Sequence, residues 1–168
     1  YFFEKADAFI WEPAQNQFSE VNDISTVDIS LLKGMDQEIK QVRLNTEAFI
    51  EGKLANNVLV WGARGMGKST LVKSVVKVAN SKSKSLKIIE VARDDIGQVG
   101  QLLKLIKKIN KKFIIFCDDI SFDDNETGYK SLKSVLDGGL IGGMQNVLVY
   151  ATSNRKHLLS RKTGGTDD

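Results

Sequence analysis

One cysteine and one histidine stand in a chain of 168 residues, and each scarcity removes a class of protein. A lone cysteine, Cys117, cannot close an intrachain disulfide, so a disulfide scaffold is excluded and an intracellular, cytoplasmic setting is expected. A lone histidine, His157, builds no multi-histidine metal site and reads as a surface or helix residue. No run approaches the ~18 apolar residues of a membrane span, and nothing has the layout of a secretory signal. Charge of one sign is also scarce: the net value is +3. Lys82 and Lys84 read as a solvated loop. Lys104, Lys107, Lys108, Lys111 and Lys112 read as the polar face and C-terminal end of a helix. Nucleic acid remains a conceivable partner that charge alone does not support. Tyr1 is not an initiator Met, so the chain is expected to begin inside a longer polypeptide.

What is present is more specific. With 42% hydrophobic residues there is apolar material for one domain with a core. Gly62-Ala63-Arg64-Gly65-Met66-Gly67-Lys68-Ser69 is a complete G-x-x-x-x-G-K-S/T phosphate-binding loop; about one random chain in two hundred of this length would carry it. An apolar run, Asn57 to Trp61, precedes it, and Thr70 to Ala79 follows with apolar residues at helical spacing. Strand, glycine turn and helix N-terminus together aim backbone N–H groups and a positive helix end at a phosphate chain. Lys68 can reach the β and γ phosphates, and the Ser69 hydroxyl can ligate Mg²⁺. Thr70 is a further candidate phosphate contact.

The rest of the chain alternates. Residues 1–33 read as an extended N-terminal arm with one short strand. Residues 34–160 read as the core and 161–168 as a polar tail. Asp36 to Ile50 is a helix with Asp36 as its N-cap, closed by Gly52. Leu86 to Val91 and Phe113 to Cys117 are strands, with a helix over Ile96 to Ile109 between them. Asp94 or Asp95 suits its N-cap. A helix over Tyr129 to Leu136 leads by way of a glycine-rich loop to the strand Val147 to Ala151. This alternation argues for α/β architecture: a three-layer P-loop sandwich with a parallel sheet covered on both faces.

Phe113-Ile114-Ile115-Phe116-Cys117-Asp118-Asp119 is a buried strand ending in two carboxylates, a Walker B pattern. Ligands sit at the carboxyl ends of parallel strands. Asp118 is therefore expected beside Ser69 as the acidic support of Mg²⁺, and Asp119 as the group that orients or deprotonates the attacking water. The last strand runs into Thr152, Ser153 and Asn154. Asn154 is the expected polar sensor of the γ-phosphate, with Thr152 as its rival; Arg155 could face a neighbouring subunit's nucleotide. Asp94-Asp95-Ile96-Gly97 fits the D-x-x-G of GTPases, but no N-K-x-D guanine reader follows, so ATP is expected over GTP.

The segments Ala55 to Gly65, Phe116 to Phe122 and Tyr150 to Arg155 carry a resemblance. W-G-A-R-G-x-G-K-S and C-D-D-x-S-F are more specific than a generic Walker pair. From about Trp11 to about Leu159 the sequence resembles bacterial AAA+ type ATPases of the family called domain of unknown function 815. The resemblance implies an ATP- and Mg²⁺-dependent ATPase core whose full-length protein self-assembles. It also implies that Leu32 to Asp36 passes near the adenine, with Met35 touching the base. AAA+ modules continue with a fifth strand, an arginine finger and a helical lid, and these are expected to be missing here; nucleotide binding is a firmer expectation than hydrolysis. Three functions follow: an ATPase core acting on a macromolecule, a nucleotide-dependent protein- or DNA-binding module without catalysis, and a small-molecule P-loop kinase. The last would need an Arg-rich lid, for which only Arg155 and Arg161 are available.

Overall fold

The computed structural model describes residues 2–21, 34–62, 67–83, 86–120, 132–134 and 146–153. In chain order these form β1 (Ala8–Glu12), β2 (Gln17–Val21), α1 (Asp36–Ile50), β3 (Val58–Trp61), α2 (Lys68–Ser83), β4 (Leu86–Val91), α3 (Val99–Ile106), β5 (Lys112–Ile120) and β6 (Val147–Ser153). Six strands make one sheet in the order β2-β1-β4-β5-β6-β3. Every pair is parallel except β1 with β2.

Side-chain alternation divides the core in two. On β5, Phe113, Ile115 and Cys117 enter one cluster, and Ile114 and Phe116 enter the other. On β6, Val147, Val149 and Ala151 take the first side, and Leu148 and Tyr150 the second. Both faces are buried, which is why these strands read as unbroken apolar runs. The first face is covered by α3, through Val99, Leu102, Leu103 and Ile106, and by Phe3. The second is covered by α1 and α2, through Val42, Phe49, Leu71, Val72, Val75 and Val76. Burying a side chain of this kind stabilises the fold by about 1.5–3 kcal/mol.

The N-terminal arm differs from expectation. It holds two strands rather than one, and both join the main sheet. Pro13 opens a single 3-10 turn, and Asn16 closes it in the left-handed region at φ 53°, donating its N–H to Pro13 O. Proline's fixed φ and asparagine's tolerance of positive φ make this a hairpin. The buried Lys87 ammonium on β4 donates to Ala6 O (2.9 Å) and Asp7 Oδ1 (3.3 Å), tying the arm to the core.

Helix ends moved too. The N-cap of α1 is Met35, which makes no side-chain capping bond. Asp36 is the first helical residue, where with Glu38 it still suits the positive helix end. Gly52, at φ 78°, closes α1; its N–H reaches Phe49 O, and Lys53 N–H reaches Ala48 O, the paired bonds of a Schellman end. The helix expected over Ile96 to Ile109 is a 3-10 segment, Arg93–Gln98, followed by the shorter α3. Gly97 and Gly100 weaken α-helical propensity in that stretch. Ala92 caps the 3-10 segment, so neither Asp94 nor Asp95 is the N-cap. Of the helix expected over Tyr129 to Leu136, residues 132–134 are described and helical.

A buried polar network pins α1 to β6. The Tyr150 hydroxyl lies 2.7 Å from Thr46 Oγ1 and accepts from Asn45 Nδ2 at 3.0 Å. Asn45 also exchanges two bonds with the Asn56 backbone, fixing the approach to β3.

Candidate functional site at the carboxyl ends of the strands

Strand β3 delivers the phosphate loop. Its register with β6 sets Val60 beside Thr152 and Trp61 beside Ser153. Gly62 N–H then donates to Ser153 O at 3.2 Å. Gly67, on the far side of the loop, has φ 79°, a conformation that favours glycine. Ala63, Arg64, Gly65 and Met66 lie outside the described residues. Lys68 begins α2; its side chain is 7% exposed and folds back so that Nζ donates to Gly62 O at 3.1 Å. The ammonium thus spans from the last loop residue to the first. Ser69 and Thr70 follow in the half-buried first turn of α2, where helical N–H groups have no intrahelical acceptor.

Asp118 and Asp119, the carboxylates expected to form a Walker B pattern, sit inside β5. The expected strand ended at Cys117, whereas β5 continues to Ile120. Pairing with β6 breaks register between Cys117 and Ile120, and Asp119 adopts φ 55°. An extra residue accommodated in this way kinks the strand and re-aims its side chains. Thr152 holds the irregularity from one side. Its hydroxyl accepts the Asp119 N–H at 2.7 Å and donates to Asp118 Oδ1 at 2.6 Å.

Arg93 holds it from the other side. The Arg93 guanidinium donates twice to Asp119 O, at 2.7 and 3.1 Å, and once to Asp119 Oδ2 at 2.6 Å. Sequence reading missed this residue. The available signal was its position: it lies two residues beyond the strand Leu86 to Val91, at the carboxyl end of a parallel strand, where α/β sheets generally bind ligands. Lys73, one turn along α2 from Ser69, forms an ion pair with Glu90 on β4 at 3.4 Å and lies over the Phe116 ring.

Met35 is buried in the α1/α2 cluster with Val42, Val60 and Leu71. Asn154, Arg155 and His157 lie outside the described residues. Burial next to the Glu90 charge pushes the Cys117 thiol up to about 12, with burial the larger cause. At neutral pH the buried thiol is protonated and packs as a small apolar group.

A family model described as "Protein of unknown function (DUF815)" matches residues 4–168. The chain belongs to this family. Solved structures similar to this DUF815 chain include AMPPCP-bound DnaA from Aquifex aeolicus, at 17% identity and TM-score 0.51 over 79% of this chain and 45% of that one. The Aeropyrum pernix Orc1 protein in complex with DNA matches at 17% identity and TM-score 0.59, over 74% of this chain and 40% of that one. Rhizobiales Trip13 matches at 12% identity and TM-score 0.56, over 79% and 60%. These likenesses establish the fold, that of a AAA+ type P-loop ATPase. The DUF815 chain spans about half the length of the structures it resembles. No curated protein matches it. Among the described residues, no helix is long and apolar enough to cross a membrane.

Proposed function

We propose that this chain is an ATP-binding AAA+ core whose full-length protein couples ATP hydrolysis to remodelling or assembly of a macromolecule. The supporting observation is convergence. The start of the phosphate loop, Lys68 and the Asp118–Thr152 pair meet across the carboxyl ends of three adjacent strands, β3, β6 and β5.

The residues fit Mg-ATP in their chemistry. Lys68 is folded onto the loop it would share with the phosphates, and Gly67 holds a backbone that would let them approach closely. Among the described residues no three acidic, His or Cys groups form a self-sufficient metal cage. One hydroxyl and one carboxylate, Ser69 and Asp118, suit an ion that takes its other oxygens from phosphate and water. Bound Mg²⁺ neutralises charge across the β and γ phosphates. In this reading Lys68 binds and stabilises the γ-phosphate, and the N-terminus of α2 with Gly62 to Thr70 cradles the chain of phosphates. In this reading Asn154 contacts the γ-phosphate, and Met35 touches the base.

Asp119 is the general base or water-orienting group, and the Arg93 contact bears on when it acts. The guanidinium occupies one carboxylate oxygen, Oδ2, at 2.6 Å, so a water must reach the group past that partner or at the other oxygen. The same contact favours a second reading, in which the chain holds nucleotide without cleaving it and so presents a surface to a protein or DNA partner.

Equilibrium binding of labelled ATP and GTP, with and without Mg²⁺, tests the first reading on this chain and on Lys68→Ala. Tight Mg²⁺-dependent ATP binding that weakens at least tenfold in the variant supports the site. Equal affinity in both proteins overturns it. Retained binding with no phosphate release from the full-length protein selects the second reading.

A further inference from the structure

Thr152 is 1% exposed and stands at the junction of β5, β6 and the phosphate loop. Its hydroxyl has a single proton, and that proton is committed to Asp118 Oδ1 at 2.6 Å. A phosphate oxygen would demand the same proton, because at neutral pH a nucleotide's terminal phosphate mainly accepts hydrogen bonds. Serving the carboxylate and sensing the γ-phosphate are therefore competing uses of one group. We propose that Thr152 is a positioning residue for the metal-binding carboxylate of Asp118, and not a phosphate sensor.

This rests on the nucleotide-site reading above and assigns a division of labour within it. The Thr152 hydroxyl fixes the Asp118 rotamer while leaving the carboxylate its charge, because the donor is neutral. The same oxygen accepts the Asp119 N–H at 2.7 Å. One atom thereby holds the side chain of the first acidic residue and the backbone of the second. Threonine suits the task, since β-branching restricts its χ1 and holds the hydroxyl in place. Partners of this kind, which orient a metal's ligand without touching the metal, typically contribute about 10–100-fold to metal affinity.

The experiment measures labelled-ATP affinity over a Mg²⁺ titration for the whole chain, Thr152→Val and Thr152→Ser. The Val variant keeps metal-free ATP affinity within about twofold, while its Mg²⁺ midpoint rises about tenfold. The Ser variant, which retains the hydroxyl, stays within about threefold of the parent. Introduced into Asp118→Asn, the Val change adds nothing further. An unshifted midpoint in Thr152→Val overturns the proposal. So does an equal loss of affinity with and without Mg²⁺, which marks a purely structural role. If the Val variant does not fold, as judged by circular dichroism, Thr152→Ala is read by the same criteria. A parent chain whose ATP binding ignores Mg²⁺ overturns the nucleotide-site reading and this inference with it. A parent that responds while the Val variant matches it overturns the inference alone.

Discussion

Between Phe113 and Cys117, β5 pairs with Val147–Ala151 of β6 in unbroken parallel register, with its side chains alternating between two buried clusters. From Asp118 onward the same two strands lose register, and a non-glycine residue takes positive φ. Polar side chains then replace apolar ones. The lower stretch is held by exclusion of water, which is non-directional and tolerates volume-conserving change. The tip is held by four directed bonds on Asp119, from the Thr152 hydroxyl oxygen and from Arg93. A left-handed backbone at a non-glycine residue costs about 1–3 kcal/mol and persists where its surroundings over-determine it. Stability is thus concentrated in one half of the strand pair, and the proposed chemistry in the other.

Substitutions can test this division. Phe113 is fully buried and packs edge-to-face on Phe3 with centroids 5.1 Å apart. Phe113→Ala should cost about 3–5 kcal/mol of stability, read by denaturant unfolding, with nucleotide affinity unchanged in the folded fraction. An Asp118→Asn change at the tip should do the reverse. It should weaken the Mg²⁺-dependent part of ATP binding about tenfold or more while moving stability by less than about 1 kcal/mol; a large fall in unfolding midpoint would break the comparison.

Arg93→Ala removes a half-exposed ion pair, a kind of contact worth about 0–1 kcal/mol to stability, together with two hydrogen bonds to Asp119 O. Freed from the guanidinium, Asp119 should raise basal ATP turnover of the full-length protein several-fold with ATP affinity unchanged. Lower turnover in the variant would mean that Arg93 assists the reaction rather than restraining it.

The smallest effect concerns Cys117, the last regular residue before the tip. Its folded-state thiol is raised to about 12 from an ordinary 9.0. Unfolding therefore releases a proton above about pH 9, so the stability this residue contributes is complete below that pH and is lost as pH climbs toward 12. At pH 10 the difference between the parent and Cys117→Ala should shrink by about 1 kcal/mol relative to pH 7. A constant difference would mean that the thiol is less buried than its neighbours on β5.

Local chemistry made much of this legible before any coordinates. The run Leu86 to Val91 coincides with β4 at both ends, because Leu86, Ile88, Ile89 and Val91 supply the burial that a central strand demands. The phosphate-loop pattern implied a strand, a turn and a helix, and these are β3, Gly62 with Gly67, and α2. Gly52 marked the end of α1 because a left-handed residue is needed there.

What the tertiary structure alone decided were the long-range pairings. The N-terminal arm has ordinary mixed patterning. That β1 lies parallel to β4 depends on partners about eighty residues away, such as Phe9 against Ile89. The extension of β5 to Ile120 goes beyond the apolar run Phe113 to Cys117 that side-chain pattern marked. It is stabilised by Thr152, 33 residues on from Asp119, and by Arg93, 26 residues back. Periodicity and spacing report what a segment can become by itself, through backbone propensity and the burial its side chains demand. They carry no record of which distant hydroxyl or guanidinium will meet a given carboxylate, because that contact exists only once the sheet has brought the strand ends together.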